Sequence, residues 1–238
     1  MKEKIKFLIL VWTIGFLGGL FFWFLRLIKL IDVLGYEKRK LSPCPSGLIC
    51  FYRHPSLREP VVLPFLFFPR FLFDLRFLPF VTPDENYYRQ FWFLPLWPIS
   101  ISINREGKVR EVIRALKKIK KGLDEGKIFF LAPGGGREWR EKEFKIIKDG
   151  KIEIREVSGQ KSFWDLEKEV NGKIIRRFRA GIAWLVKNTE TKILPIWVKK
   201  RGLKIKIIIG ELEKPSKLGR EEMLEYLENI LLKLGDKS

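Results

Sequence analysis

The chain contains a single histidine, His54, within Arg53-His54-Pro55-Ser56-Leu57-Arg58-Glu59-Pro60. The apolar run Leu48–Tyr52 just before it reads as a buried strand, and the segment after it has helical character. Ligands of open α/β sheets bind beyond the carboxyl ends of strands, which is where this histidine falls. Glu59 is near enough in sequence to turn back onto the imidazole. A carboxylate on one ring nitrogen sets the tautomer and leaves the other nitrogen available as a general base. The plainer use of a lone histidine is capping or packing. A second block, Phe130-Leu131-Ala132-Pro133-Gly134-Gly135-Gly136-Arg137, follows another apolar strand. Three glycines let backbone approach a ligand closely, with N–H groups facing an anion and Arg137 beside them for a phosphate; a flexible turn has the same composition. Arg105, in Asn104-Arg105-Glu106-Gly107, offers either a further anion contact or a solvated strand end. A fourth block pairs a helix signal, Phe178–Leu185 with Gly181, with a strand over Ile193–Val198 that contains Pro195.

The order and spacing of the four blocks are more specific than any one of them. Together they resemble the membrane-associated glycerolipid acyltransferases of the 1-acylglycerol-3-phosphate acyltransferase family. That family carries His-x-x-x-x-Asp, an Arg block, Phe-Pro-Glu-Gly-Thr-Arg, and a Lys-x-Gly helix leading to a Val-Pro-Ile-Val-Pro strand. The counterparts here are His54 with Glu59, Arg105, Pro133 to Arg137, and Gly181 with Pro195. The likeness covers about Leu48 to Val198. Three departures stand out. Glu59 replaces the family's Asp, Gly134 and Gly136 replace its Glu and Thr, and Phe80-Val81-Thr82-Pro83 lacks the lysine often found there. The Pro-Gly-Gly loop followed by Glu138 is also similar to the diacylglycerol-type acyltransferases.

The resemblance implies transfer of a fatty acyl group from a thioester donor, acyl carrier protein or acyl-coenzyme A, to a lipid hydroxyl. Lysophosphatidic acid, in phospholipid synthesis, is the first choice of acceptor. It implies His54 as the base that deprotonates the acceptor and Glu59 as the group that orients it. Gly134, Gly135 and Gly136, with Arg137 and Arg105, would hold the acceptor phosphate or the oxyanion. The donor is a co-substrate; no cofactor and no metal are expected. A single histidine and two cysteines, Cys44 and Cys50, also make no Cys/His cluster and no disulfide scaffold.

The elements that must position these residues alternate. Strands are expected over Leu48–Tyr52, Ile99–Ile103, Ile128–Ala132, Ile193–Val198 and Ile205–Ile209. Helical spacing is present over Lys108–Leu123 and Arg220–Leu234, with irregular helix from about Leu57 to Phe68 around Pro60 and Pro64. Alternation of this kind indicates an α/β fold with a mixed, largely parallel sheet flanked by helices. The stretch of about 138–173 fits no βα unit and reads as an insertion, with a hairpin expected around Asp149-Gly150.

At the N-terminus, Phe7 to Leu25 carries no charge and at about 1.5 Å per residue spans roughly the thickness of a bilayer core. It is too long and too aromatic for a signal-peptide core, so it is expected to stay in the protein. Leu27, Ile28, Leu30, Ile31 and Leu34 can share a face of a second helix lying in the interface. The organisation expected is therefore a membrane-anchoring pair of helices over 1–40 and an acyltransferase-like domain over 41–238. Lys and Arg number 47 against 28 Asp and Glu, a net charge of +19, which favours anionic lipid, an acidic carrier protein or phosphate-bearing substrates. Basic residues flank the apolar run on both sides and lean toward a main domain on the cytoplasmic face of the cell membrane. No nucleic-acid-binding motif is present, and no nucleic-acid partner is expected. A non-catalytic basic module that binds lipid at the membrane surface accounts for the anchor and the charge, but gives no reason for His54 and Glu59.

Overall fold

A computed structural model describes residues 2–39, 46–54, 59–83, 100–103, 109–134, 167–170 and 173–236. Eight strands are described: β1 (Ile31–Leu34), β2 (Leu48–Tyr52), β3 (Pro79–Val81), β4 (Ile128–Leu131), β5 (Glu167–Val170), β6 (Lys173–Arg176), β7 (Lys192–Arg201) and β8 (Lys204–Ile209). Helices are α1 (Lys2–Leu27), α2 (Glu59–Val62), α3 (Arg70–Phe73), α4 (Val109–Asp124), α5 (Ala180–Lys187) and α6 (Arg220–Gly235). Six strands form one sheet in the order β1-β8-β7-β2-β4-β3. β7, β2, β4 and β3 run parallel, β8 turns back antiparallel to β7, and β1 pairs parallel with β8. The fold is therefore α/β with a mixed, largely parallel sheet.

Every residue of β2 and β4 is buried, as expected of parallel strands covered on both faces. Alternation along β2 sends Leu48, Cys50 and Tyr52 to one face and Ile49 and Phe51 to the other. On the second face Ile49 and Phe51 pack with Ile119 and Leu123 of α4, Ile182 and Leu185 of α5, and Leu227 and Leu231 of α6. On the first face, Leu48 and Cys50 lie in one apolar cluster with Val11 and Phe22 of α1 and with Leu63, Phe67 and Phe71. This stretch is irregular, as its prolines dictate: α2 passes into a 3-10 turn at Leu63–Phe67, with Pro64 in its first turn, before α3.

α1 includes Phe7–Leu27, 21 residues long and apolar enough to cross a membrane. It is nevertheless packed on the protein along one stripe. Val11, Gly15, Gly19 and Phe22 are buried, while Leu8, Trp12, Phe16, Leu20, Phe21, Trp23 and Phe24 are exposed. Glycine is what lets the helix sit so close. A Cβ at Gly15 would lie 2.7 Å from the Phe71 ring, and Cβ atoms at Gly18 and Gly19 would overlap the rings of Phe65 and Phe68.

The second interfacial helix expected after Arg26 is not there. The backbone reverses at Lys29, which adopts φ +58°, while the Leu30 amide donates to Leu25 O at 2.9 Å. That six-to-one bond, with a left-handed residue beside it, terminates a helix. The apolar residues that follow obey a period of two instead: Ile31 and Val33 are buried, Asp32 and Leu34 exposed, and β1 joins the main sheet. In place of the strand expected over Ile99–Ile103, the described residues 100–103 hold isolated bridge positions at Ser100, opposite Val81, and at Ile103, with the Ile101 and Ile103 amides donating to Val81 O and Pro83 O. The hairpin expected around Asp149-Gly150 lies outside the described residues. β5 and β6, within the same stretch, pair antiparallel with Val170 opposite Lys173.

Replacing Gly18 by Leu should force Phe65 aside. Overpacking costs about 1–3 kcal/mol, and in a chain of this size each kcal/mol lowers Tm by about 2–4 °C. Thermal unfolding in detergent should show this fall for Gly18→Leu and none for Leu17→Ala on the exposed side of the same helix.

Candidate active site

β2 and β4 are neighbours with Phe51 opposite Leu131. Three residues beyond that pair stand His54 on one strand exit and Gly134 on the other, so two blocks far apart in sequence leave adjacent strands at the same edge. β7 supplies the other wall of β2, with Tyr52 opposite Ile196. Arg53 pins the exit of β2 to it. Its amide donates to Ile196 O at 3.3 Å, its Nη1 donates to Val198 O at 3.4 Å, and its guanidinium carbon lies 4.8 Å from the centre of the Trp197 ring.

His54 and Glu59 meet. Glu59 opens α2 and is 1% exposed. His54 Nδ1 lies 3.1 Å from Glu59 Oε2, with the histidine side chain 12% exposed and the glutamate side chain fully covered. A carboxylate can only accept, so Nδ1 is the donor, and in the neutral imidazole Nε2 then keeps a free lone pair. The ring of Tyr52 stands edge-on to the imidazole at 6.0 Å between centres. A buried carboxylate is costly to desolvate unless it is paired and hydrogen-bonded, which gives Glu59 a reason to hold the imidazole in this orientation. The pair therefore has the parts of a general base and its orienting group.

At the second strand exit Gly134 is buried and Pro133 O accepts the Arg179 amide at 3.0 Å. The segment before α5 is held from behind as well. Glu228 of α6, 1% exposed, accepts the Phe178 amide at 2.8 Å, and Arg177 Nε stands 3.8 Å from the same oxygen. Phe178 in turn stands edge-on to Phe51 of β2 at 6.0 Å. Thr82, just past β3, donates to Phe130 O at 3.4 Å. Arg105, Gly135, Gly136 and Arg137 lie outside the described residues, as does Cys44. Among the described residues no three His, Cys, Asp or Glu side chains converge as a metal would require.

Sequence reading missed Arg53, Arg179 and Glu228 as supports of the site. Glu228 gives no warning, since a glutamate in a charged amphipathic helix reads as solvated. Arg179 acts here through its backbone amide, which every non-proline residue has, and Arg53 through its amide and a guanidinium that reaches Val198 O and Trp197 on the neighbouring strand, a contact no local spacing announces.

As the only histidine, His54 can be followed without assignment ambiguity. Nitrogen-15 NMR above the imidazole titration should find the proton on Nδ1, and Glu59→Leu should move the population toward the Nε2–H form. An unchanged tautomer ratio in that variant would mean that Glu59 does not orient the ring. No family model matches the chain and no curated protein sequence matches it.

Proposed function

We propose that the chain is a membrane-bound acyltransferase that moves a fatty acyl group from a thioester to a lipid hydroxyl. The observation that carries the reading is the His54–Glu59 pair at the carboxyl edge of the parallel strands. The order of the four sequence blocks supports it, as does an N-terminal helix able to enter a bilayer.

In this reading Nε2 of His54 takes the proton of the acceptor hydroxyl as its oxygen attacks the thioester carbonyl. The C–O bond forms and the carbonyl becomes a tetrahedral oxyanion. Collapse breaks the C–S bond, and the imidazolium returns the proton to the departing sulfur, so an ester and a free thiol are the products. Glu59 is a positioning residue that stabilises the transient imidazolium, as a carboxylate does in a serine-hydrolase triad. The substrate supplies the nucleophile, which is why no serine or cysteine is needed. Amides at the start of the glycine loop, with Arg137 and Arg105, would neutralise the oxyanion or the acceptor phosphate. Lysophosphatidic acid is the proposed acceptor and acyl carrier protein or acyl-coenzyme A the donor. The body would work at the cytoplasmic face of the cell membrane, where acidic headgroups suit a net charge of +19.

General-base catalysis contributes about 10²–10⁴-fold. His54→Ala should lower single-turnover acyl transfer by about that factor, and Glu59→Gln should lower it strongly while the chain stays folded. The double variant should be little worse than the worse single one, because the two groups act as a unit. Wild-type rates in both single variants would remove the assignment and leave a lipid-binding module as the better reading.

Arg137→Ala should raise KM for a phosphorylated acceptor more than tenfold, since a charge-assisted hydrogen bond is worth about 1.5–3 kcal/mol. An acceptor lacking phosphate should be nearly indifferent. Equal loss with both would place Arg137 at the donor or in the framework.

A further inference from the structure

The turn between β7 and β8 is out of keeping with a water-facing hairpin. β7 and β8 close with Arg201 opposite Lys204 across Gly202 and Leu203. Gly202 takes φ +57°, the positive value required at the first central position of a two-residue hairpin turn. Leu203 thus stands at the apex and is 66% exposed. Lys200, Arg201 and Lys204 around it are exposed too, and the run Lys199–Lys206 contains no acidic residue. An isolated exposed leucine is ordinary; two further observations make this one informative.

The first is the direction in which the turn points. β7 pairs with β2 as far as Tyr52–Ile196 and then runs five residues further, to Arg201. At about 3.3 Å per residue, the part beyond Val198, the level at which Arg53 holds the exit of β2, projects roughly 10 Å past the sheet. The turn therefore overhangs the edge that carries His54.

The second is what stands beside it. Ile205 N–H donates to Leu30 O at 2.8 Å, and Ile31 is the register partner of Ile205. The end of α1 is thereby tied to the base of the turn. That end carries Leu27, 80% exposed, and exposed Ile28 and Lys29, and it continues the outward apolar side of α1. Where an apolar helix meets basic residues, those residues mark the headgroup level of a bilayer. The hydrogen bond places the turn at the same level however α1 is tilted.

We propose that the β7–β8 turn is a membrane-contact element. Leu203 enters the headgroup region of an anionic leaflet beside Leu27 and Ile28, and Lys200, Arg201 and Lys204 engage lipid phosphates around it. The His54 edge of the sheet is thereby held against the lipid surface, so that a lipid acceptor reaches it by lateral movement without leaving the leaflet. The inference rests on the membrane half of the proposed function and not on acyl transfer itself.

The test uses the full chain with Cys44→Ser, Cys50 being buried, reconstituted in vesicles containing phosphatidylglycerol. A nitroxide is attached at Leu203→Cys or, as a control, at Glu190→Cys, an exposed residue just before β7 and so at the opposite edge of the sheet. Collision with dissolved oxygen reports lipid and collision with a water-soluble nickel chelate reports water. At 203 the oxygen effect should exceed the nickel effect several-fold, with the reverse at 190. Adding Lys200→Glu, Arg201→Glu and Lys204→Glu should return the 203 label to water, and His54→Ala should leave it in lipid. A 203 label as open to nickel as the 190 label overturns the proposal, as does one that is shielded only when an acidic carrier protein is added. No acyl transfer by the chain with His54 and Glu59 intact, with the 203 label still in lipid, would count against the enzyme reading alone.

Discussion

A parallel sheet has two apolar faces, and both must be covered. This constraint governs the molecule. β2 and β4 are buried along their whole length, so each side of them needs a layer of helices. Three amphipathic helices of ordinary composition cover one side. The other is covered by the aromatic stretch around 63–78 and by α1, the one helix among the described residues long and apolar enough to cross a membrane. One helix therefore has two duties. Its glycine stripe closes the core, and its large apolar residues face outward from the protein.

That double duty links α1 to the site. An anchor joined by a flexible linker would leave the body free to tumble above a membrane. α1 instead is packed on Phe65, Phe68 and Phe71, ends in a hydrogen-bonded reversal at Lys29, and enters the same sheet as β1. The sheet, and the strand exits at its edge, thus have a set orientation relative to the outer face of α1. The proposed acyl transfer to a lipid would benefit from this, because the cost of orienting the reacting groups is met by folding and not repeated at each encounter.

The site follows the same economy of elements. One strand delivers His54, the first turn of the next helix delivers Glu59, and the neighbouring strand delivers Gly134. Their alignment depends on β-ladder register, which a one-residue slip would destroy. Arg53 on β7 and Glu228 on the Phe178 amide secure this register from two sides. Neither has to touch a substrate to matter.

The sequence by itself determined the elements whose pattern is strong and local. β2 coincides with its apolar run, and α4, α6, β4, β7 and β8 lie within a few residues of their periodic or apolar stretches, because burial on both faces or on one stripe leaves an unmistakable spacing. It also placed His54 and Glu59 within reach of each other, since a five-residue separation spans a strand exit and a first helical turn. Where local patterns were ambiguous, tertiary structure decided. Ile31 fits a helical face with Leu27, Ile28, Leu30 and Leu34 as well as a strand face with Val33, and only pairing with β8 selected the strand. β5 and β6 gave no such pattern: four residues each, EKEV and KIIR, they show no hydrophobic alternation, and only their antiparallel pairing defines them. The short β3, with a proline at its start, exists because β4 offers it an edge. The burial of Glu228, the packing of α1 on the core and the projection of Leu203 beyond the sheet depend on contacts between residues far apart in the chain, and no spacing along a sequence encodes such distances directly.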